Sequence, residues 1–225
     1  MNRTTFVAAL LSVVAPAFAG DVSGQAVITK KLSKRELSPL IYNLRGMAQP
    51  AVARSTDPVN EYDRMVVILE SKNLPSRAAI NVVMDQKDSH FDPELVVIPV
   101  GSTVQFPNSD PIFHNVFSLS KAQPFDLGFY PRGQIRTVKF SRPGVVQVYC
   151  HIHANMYAAI VVTESPWFAK PSTEGTFSFH DVPAGHYRLT AWHKVAGFHA
   201  VEINVPESGT VDATIRVPVD VEPRP

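Results

Sequence analysis

Within "VYCHIHANMYAAIVV" a thiol, an imidazole and a thioether follow one another at steps of three residues: Cys150, His153 and Met156. The thiol ends an alternating apolar run and a second apolar run follows at once. A tight turn between two strands must therefore gather three donors of graded softness. Thiolate and imidazole suit copper or zinc, but a thioether has little use for zinc. A weak, soft sulfur beside Cys and His favours copper, for which two imidazoles, a thiolate and a long axial Met form the electron-transfer geometry. That geometry requires one more imidazole, and "TVQFPNSDPIFHNVFS" supplies it at His114, beyond another alternating run and a turn. Taken singly, His114 reads as a loop histidine and Met156 as a core residue. Joined to the only cysteine of the chain, they point to a metal. A lone thiol forms no intramolecular disulfide, and in an oxidising compartment it needs protection or a use.

The elements that must position these donors are strands. Val104 and Phe106 alternate with Thr103 and Gln105, and Val138 and Phe140 with Thr137 and Lys139. In "GVVQVYC", Val146, Val148 and Cys150 share one face while Gln147 and Tyr149 take the other. Turn chemistry separates the runs: Pro99 and Gly101, Pro107 to Pro111, Pro131-Arg132-Gly133, Pro143-Gly144. The 19 prolines in 225 residues, about 8% against a usual ~5%, fit many short strands better than long helices. Strands at this spacing predict an all-β chain of sandwich or barrel type. Ser33 to Arg45 has helical leanings but contains Pro39, and reads as a long loop with at most a helical turn.

"FDPELVVIPVGSTVQFPNSDPIFHNV" together with the Cys150-x-x-His153-x-x-Met156 loop resembles the cupredoxin (blue-copper) family, and within it the amicyanins, whose short ligand loop has this spacing. The resemblance covers residues 78–164. It implies a Greek-key β-sandwich that binds one copper ion, Cu(I)/Cu(II), through His114, Cys150, His153 and Met156. It also implies that Asn115 ties the two ligand loops together and steadies the thiolate. The chain departs from the amicyanin pattern at His151, where that family has threonine, and at Ile152 and Ala154, where it has prolines. His151 is thereby a rival donor, although alternation turns it away from Cys150.

"STEGTFSFHDVPAGHYRLTAWH" and "VEINVPESGTVDATIRV" resemble the carboxypeptidase regulatory-like (transthyretin-like) β-sandwich module. Its first two strands are matched by "SGQAV" and "VVILE", before residue 78. The resemblance therefore implies a discontinuous module, residues 20–74 and 167–220, interrupted by a cupredoxin domain at 78–164. Five further histidines, His90, His180, His186, His193 and His199, follow no metal spacing and read as surface histidines, solvated or locally bonded.

Residues 1–19 read as a signal peptide: Asn2 and Arg3, an apolar run from Phe6 to Phe18, and Ala17-Phe18-Ala19 as a small-x-small cleavage site. The mature chain is expected to begin at Gly20 in a bacterial periplasm. Later apolar runs all fall short of the ~20 residues a membrane span needs. Lys+Arg 21 against Asp+Glu 20 leaves no basic field for nucleic acid or anionic lipid. The expectation is a periplasmic type 1 copper protein, not an enzyme, that passes single electrons through the edge of His153. Its redox partners would dock on an apolar rim of Phe113, Ala154 and Met156. The alternative is a copper-handling protein for storage, delivery or sensing; a third reading is a scaffold in which copper is structural. Intense colour on copper titration separates the first from copper handling, and against the scaffold stands Met156, a donor that does little to hold a metal but tunes its potential.

Overall fold

Where apolar residues alternate, a strand buries one face; where they run without interruption, it buries both. In the computed structural model of the chain, which describes residues 19–29, 60–72 and 74–217, both kinds occur. The described residues form seventeen strands, one 3-10 turn at Glu61–Arg64 and no α-helix. In chain order the strands are β1 (Ala19–Ile28), β2 (Met65–Glu70), β3 (Asn81–Val83), β4 (Asp85–Lys87), β5 (His90–Asp92) and β6 (Leu95–Pro99). Then come β7 (Thr103–Pro107), β8 (His114–Ser118), β9 (Phe125–Tyr130), β10 (Ile135–Lys139), β11 (Gly144–Tyr149) and β12 (Tyr157–Thr163). The last are β13 (Phe168–Ala169), β14 (Thr176–Pro183), β15 (Gly185–His193), β16 (Gly197–Val205) and β17 (Thr210–Val217). The expected signal peptide, apart from Ala19, and the Ser33 to Arg45 stretch lie outside the described residues.

Two pairs of sheets each enclose a core. A five-stranded sheet, β6-β12-β11-β8-β9, faces a three-stranded one, β10-β7-β3. Between them lie Val104, Phe106, Val138, Phe140, Val146 and Val148, so the alternation read from the sequence gives the inward face. The second pair is β14-β1-β17 and β13-β2-β15-β16, closed over Val22, Val67, Phe177, Leu189 and Ile215. Its two earliest strands come from the start of the chain and pair with its latest ones. β1 runs antiparallel to β14 and parallel to β17, and β2 lies antiparallel between β13 and β15.

The two sandwiches share a seam. Every residue of "MVVIL" in β2 is buried: Met65, Val67 and Leu69 face their own core, while Val66 and Ile68 turn outward onto Leu95, Ala159, Val161 and Trp192. β12 is buried on both faces for the same reason, with Ala158, Ile160 and Val162 inside its sandwich and Ala159 and Val161 in the seam. Lys194 closes the seam's edge: its Nζ donates to Glu94 at 2.9 Å and lies 3.8 Å above the Tyr157 ring. The chain crosses between the sandwiches at neighbouring points. Leu69 N donates to Trp167 O at 2.9 Å, and the Arg77 guanidinium donates to Pro166 O at 2.9 Å.

Candidate metal centre

β11 delivers Val146 and Val148 inward, and Cys150 is the next inward position, just past the strand's end. Its backbone N donates to Met156 O at 3.2 Å, and Met156 N donates to His153 O at 3.0 Å, which folds the intervening residues into a tight loop. The loop turns His153 back toward the sulfur and leaves Met156 buried in the same core as Cys150. His114 arrives from β8. The pairing of β8 with β9 shifts register between Asn115 and Phe117, so His114, Asn115 and Val116 are buried in succession. An irregularity of this kind lets a strand aim neighbouring side chains at one interior.

Three ligand atoms converge. The Nδ1 atoms of His114 and His153 each lie 3.8 Å from Cys150 Sγ, and the whole set falls within 4.8 Å. Metal bonds of about 2.3 Å to sulfur and about 2.0–2.1 Å to nitrogen, the lengths zinc shows, separate S from N by roughly 3.5–3.8 Å at trigonal to tetrahedral angles. The cluster therefore fits a metal ion with little rearrangement. A single sulfur, two imidazoles and a nearby thioether are donors that suit copper.

The electrostatics favour the metal-binding form of the thiol. Burial opposes ionisation of Cys150, but the hydrogen bond from His114 and the backbone N–H groups of Asn115, Ile152 and His153 outweigh it and lower the pKa. Burial also opposes charge on His114, yet Cys150 and Asp110 raise its pKa. His153 moves the other way, lowered by burial and by repulsion from His114.

Asn115 links the two ligand-bearing segments. Its Oδ1 accepts from His151 N at 3.3 Å, and its Nδ2 donates to Asp126 at 2.7 Å. His151 stands outside the cluster: its ring stacks on Phe117, with centroids 3.9 Å apart, and its Nε2 lies 3.6 Å from an Asp126 oxygen. Phe113 is 57% exposed and Ile152 51%, and Ala154 is exposed beside half-buried His153. Met156 is 1% exposed, so the expected rim loses that member. Its backbone bonds to Cys150 and His153 draw it inward.

Sequence reasoning missed Asp110, which it took for turn chemistry alone. This carboxylate accepts from His114 Nε2 at 2.7 Å. The available signal was a carboxylate four residues before the imidazole in "SDPIFH". The expectation of surface histidines also needs correction at His193, which is fully buried. Its Nδ1 accepts from Val195 N and Ala196 N at 3.1 and 3.2 Å, and its Nε2 faces Glu61 at 3.4 Å. His180 and His186 do sit on the surface, beside Asp21 and Glu202.

Among known families, the ER membrane protein complex subunit 7 beta-sandwich domain matches residues 151–222, less than half of the chain. That is a β-sandwich, but not the carboxypeptidase regulatory-like module the sequence resembled. None of the curated proteins matches. Solved structures similar to part of the chain include cupredoxins and a Cu-containing enzyme. A Cu-containing nitrite reductase from Thermus scotoductus is 24% identical over 42% of this chain and 25% of its own, with a TM-score of 0.37. This chain thus spans about a quarter of that reductase. An amicyanin variant in its Cu(I) form is 20% identical over 43% of this chain and 98% of its own, at 0.35. A purple cupredoxin from Nitrosopumilus maritimus is 24% identical over 38% and 100%, at 0.33.

Proposed function

We propose that this chain is a periplasmic type 1 (blue) copper protein that carries single electrons between redox partners and turns over no substrate of its own. The observation that carries the reading is the convergence of two imidazole Nδ1 atoms at 3.8 Å on one buried thiol. His114, Cys150 and His153 would hold one copper ion, with the buried Met156 thioether as a further, weaker donor. When bound there, copper supplies a reversible one-electron couple.

The chain's own residues do the rest. Burial of His114, Cys150 and Met156 keeps water from the metal. The register shift in β8 and the Asn115 bridge hold the donors in place, so little has to move between oxidation states. Half-buried His153 is the ligand nearest solvent, and the apolar surface of Phe113, Ile152 and Ala154 around it suits a docking redox protein. We assign residues 78–164 to the copper domain, inserted into a second sandwich made of 20–74 and 167–220. The pairing of β1 and β2 with β13 to β17 supports that division.

Copper titration of the mature chain, followed by voltammetry, tests the reading. The expected result is an intense visible band that saturates at one copper per chain and a reversible one-electron wave. Colourless binding of Cu(I) alone would move the assignment to copper handling.

A further inference from the structure

Asp110 is almost completely buried. One oxygen accepts from Asp88 N at 2.7 Å; the other accepts from Ser89 N at 2.9 Å and meets His114 Nε2 at 2.7 Å. Asp88 and Ser89 form the two-residue turn between β4 and β5, and both have positive φ, 53° and 59°. Such a turn favours Gly, Asn and Asp, so Ser89 is the residue it suits least, and its two N–H groups are anchored on this carboxylate. Asp110 is itself fixed, because its N–H donates to Asn108 Oδ1 at 3.0 Å. Asn108 Nδ2 in turn donates to Ile112 O and Tyr130 O at 2.8 and 3.0 Å. The carboxylate thus sits on a rigid frame and points at the nitrogen of His114 that faces away from the thiol.

We propose that Asp110 is a positioning residue that sets the reduction potential of the centre: it holds His114 with its proton on Nε2 and its Nδ1 toward the metal, and its buried negative charge stabilises the more positive oxidation state. The proposal rests on the copper assignment made above. A carboxylate that accepts the outer N–H of a ligating imidazole fixes its tautomer and strengthens it as a donor. Inside a low-dielectric core its charge is weakly screened. Both effects favour Cu(II) over Cu(I). The proton stays on Nε2 in both states, so the couple remains one electron taken from, or given to, the docked partner. Glu202 is the natural comparison. It too is a carboxylate close to a histidine, but it is 57% exposed and faces His186 in the second sandwich.

The experiment uses the full mature chain as wild type, Asp110→Asn and Glu202→Gln, each loaded with copper and checked for fold by circular dichroism. Asp110→Asn keeps the shape and an acceptor oxygen but removes the charge. Voltammetry should show a positive shift of about 59 mV, a tenfold loss of Cu(II) affinity relative to Cu(I). Glu202→Gln should move the potential by only a small fraction of that. An Asp110→Asn potential equal to that of the wild type, or no further shifted than Glu202→Gln, overturns the proposal. A second measurement needs no variant. In the diamagnetic Cu(I) wild type, proton NMR should show the His114 Nε2 proton far downfield and slow to exchange, and its absence overturns the proposal even if Asp110→Asn fails to fold. A wild type that takes up no copper instead defeats the copper assignment, at the loading step and before any comparison of potentials.

Discussion

At Cys150 one sulfur faces both imidazoles, so the donors are unequal in what their loss would do. Cys150→Ser removes the only thiolate and should abolish the visible band of the copper-loaded protein. Met156→Leu keeps a buried apolar group of similar volume; copper and colour should survive while voltammetry finds a higher potential, since replacing the thioether with an apolar group favours Cu(I). His151→Ala should leave the band in place, because that ring stacks on Phe117 rather than facing the thiol. His193 offers a test by pH. Burial outweighs the attraction of Glu61 and holds its pKa below the ordinary value of 6.5. A pKa lowered in the folded state means that the unfolded chain takes the proton first. The stability this neutral imidazole contributes is therefore complete above about pH 6.5 and is lost as pH falls toward the folded-state pKa. Thermal melts between pH 7.5 and 5.5 should show a smaller decline for His193→Asn than for the wild type. The contrast between these residues marks what a sequence can show. Cys150, His153 and Met156 lie within seven positions and announce their chemistry by spacing. Asp110 and His193 take their character from partners across the fold, the Asp88-Ser89 turn and Glu61, which no local pattern connects to them.

Strand-forming runs with strict alternation, such as Val146-Val148-Cys150, could be assigned a face from sequence because only one side meets a core. "MVVIL" and "YAAIVV" gave no such direction. Their second faces are covered by a seam that exists only once both sandwiches are present. β1 holds a sharper constraint at Gly24. A Cβ there would stand 2.2 Å from the Phe177 ring and 2.7 Å from Ala213 O, with β14 on one side and β17 on the other. The Ala213 carbonyl cannot retreat without disturbing the β1–β17 ladder, and the Phe177 ring would have to give way within the core. Gly24→Ala should cost at least ~1–3 kcal/mol, the usual range for overpacking. Denaturant melts read by tryptophan fluorescence will measure it. An unchanged midpoint would show that β1 is not held between those two strands.

Across the whole molecule, the two reporters divide between the sandwiches. Both tryptophans of the chain, Trp167 and Trp192, belong to the core or seam of the second one, whereas the candidate metal ligands lie in the first. Fluorescence and copper colour can therefore be followed separately in a single melt. Because the seam is apolar and continuous, the two signals should vanish together in the wild type. Val161→Asp places a carboxyl group among the apolar residues of the seam; even in its neutral form, burying such a polar group costs roughly 2–7 kcal/mol. It should split the two transitions. Coincident transitions in that variant would mean that contacts other than the seam couple the sandwiches.

The pairing of β1 with β14 and β17 also governs the order in which parts of the chain are finished. Gln25 reaches Glu174, 149 positions further on, so a chain emerging from its N-terminus carries β1 and β2 unpartnered until its last strands have appeared. Contacts that distant form slowly, and bare strand edges invite pairing with other chains in the interval. The ligand-bearing sandwich has no such wait: once Thr163 is out, every strand it needs is present. The cradle of thiol and imidazoles can close while its companion is still half made. A nascent chain caught at that stage would already be competent to capture a metal ion, and its greatest exposure to aggregation would lie in its oldest residues rather than its newest.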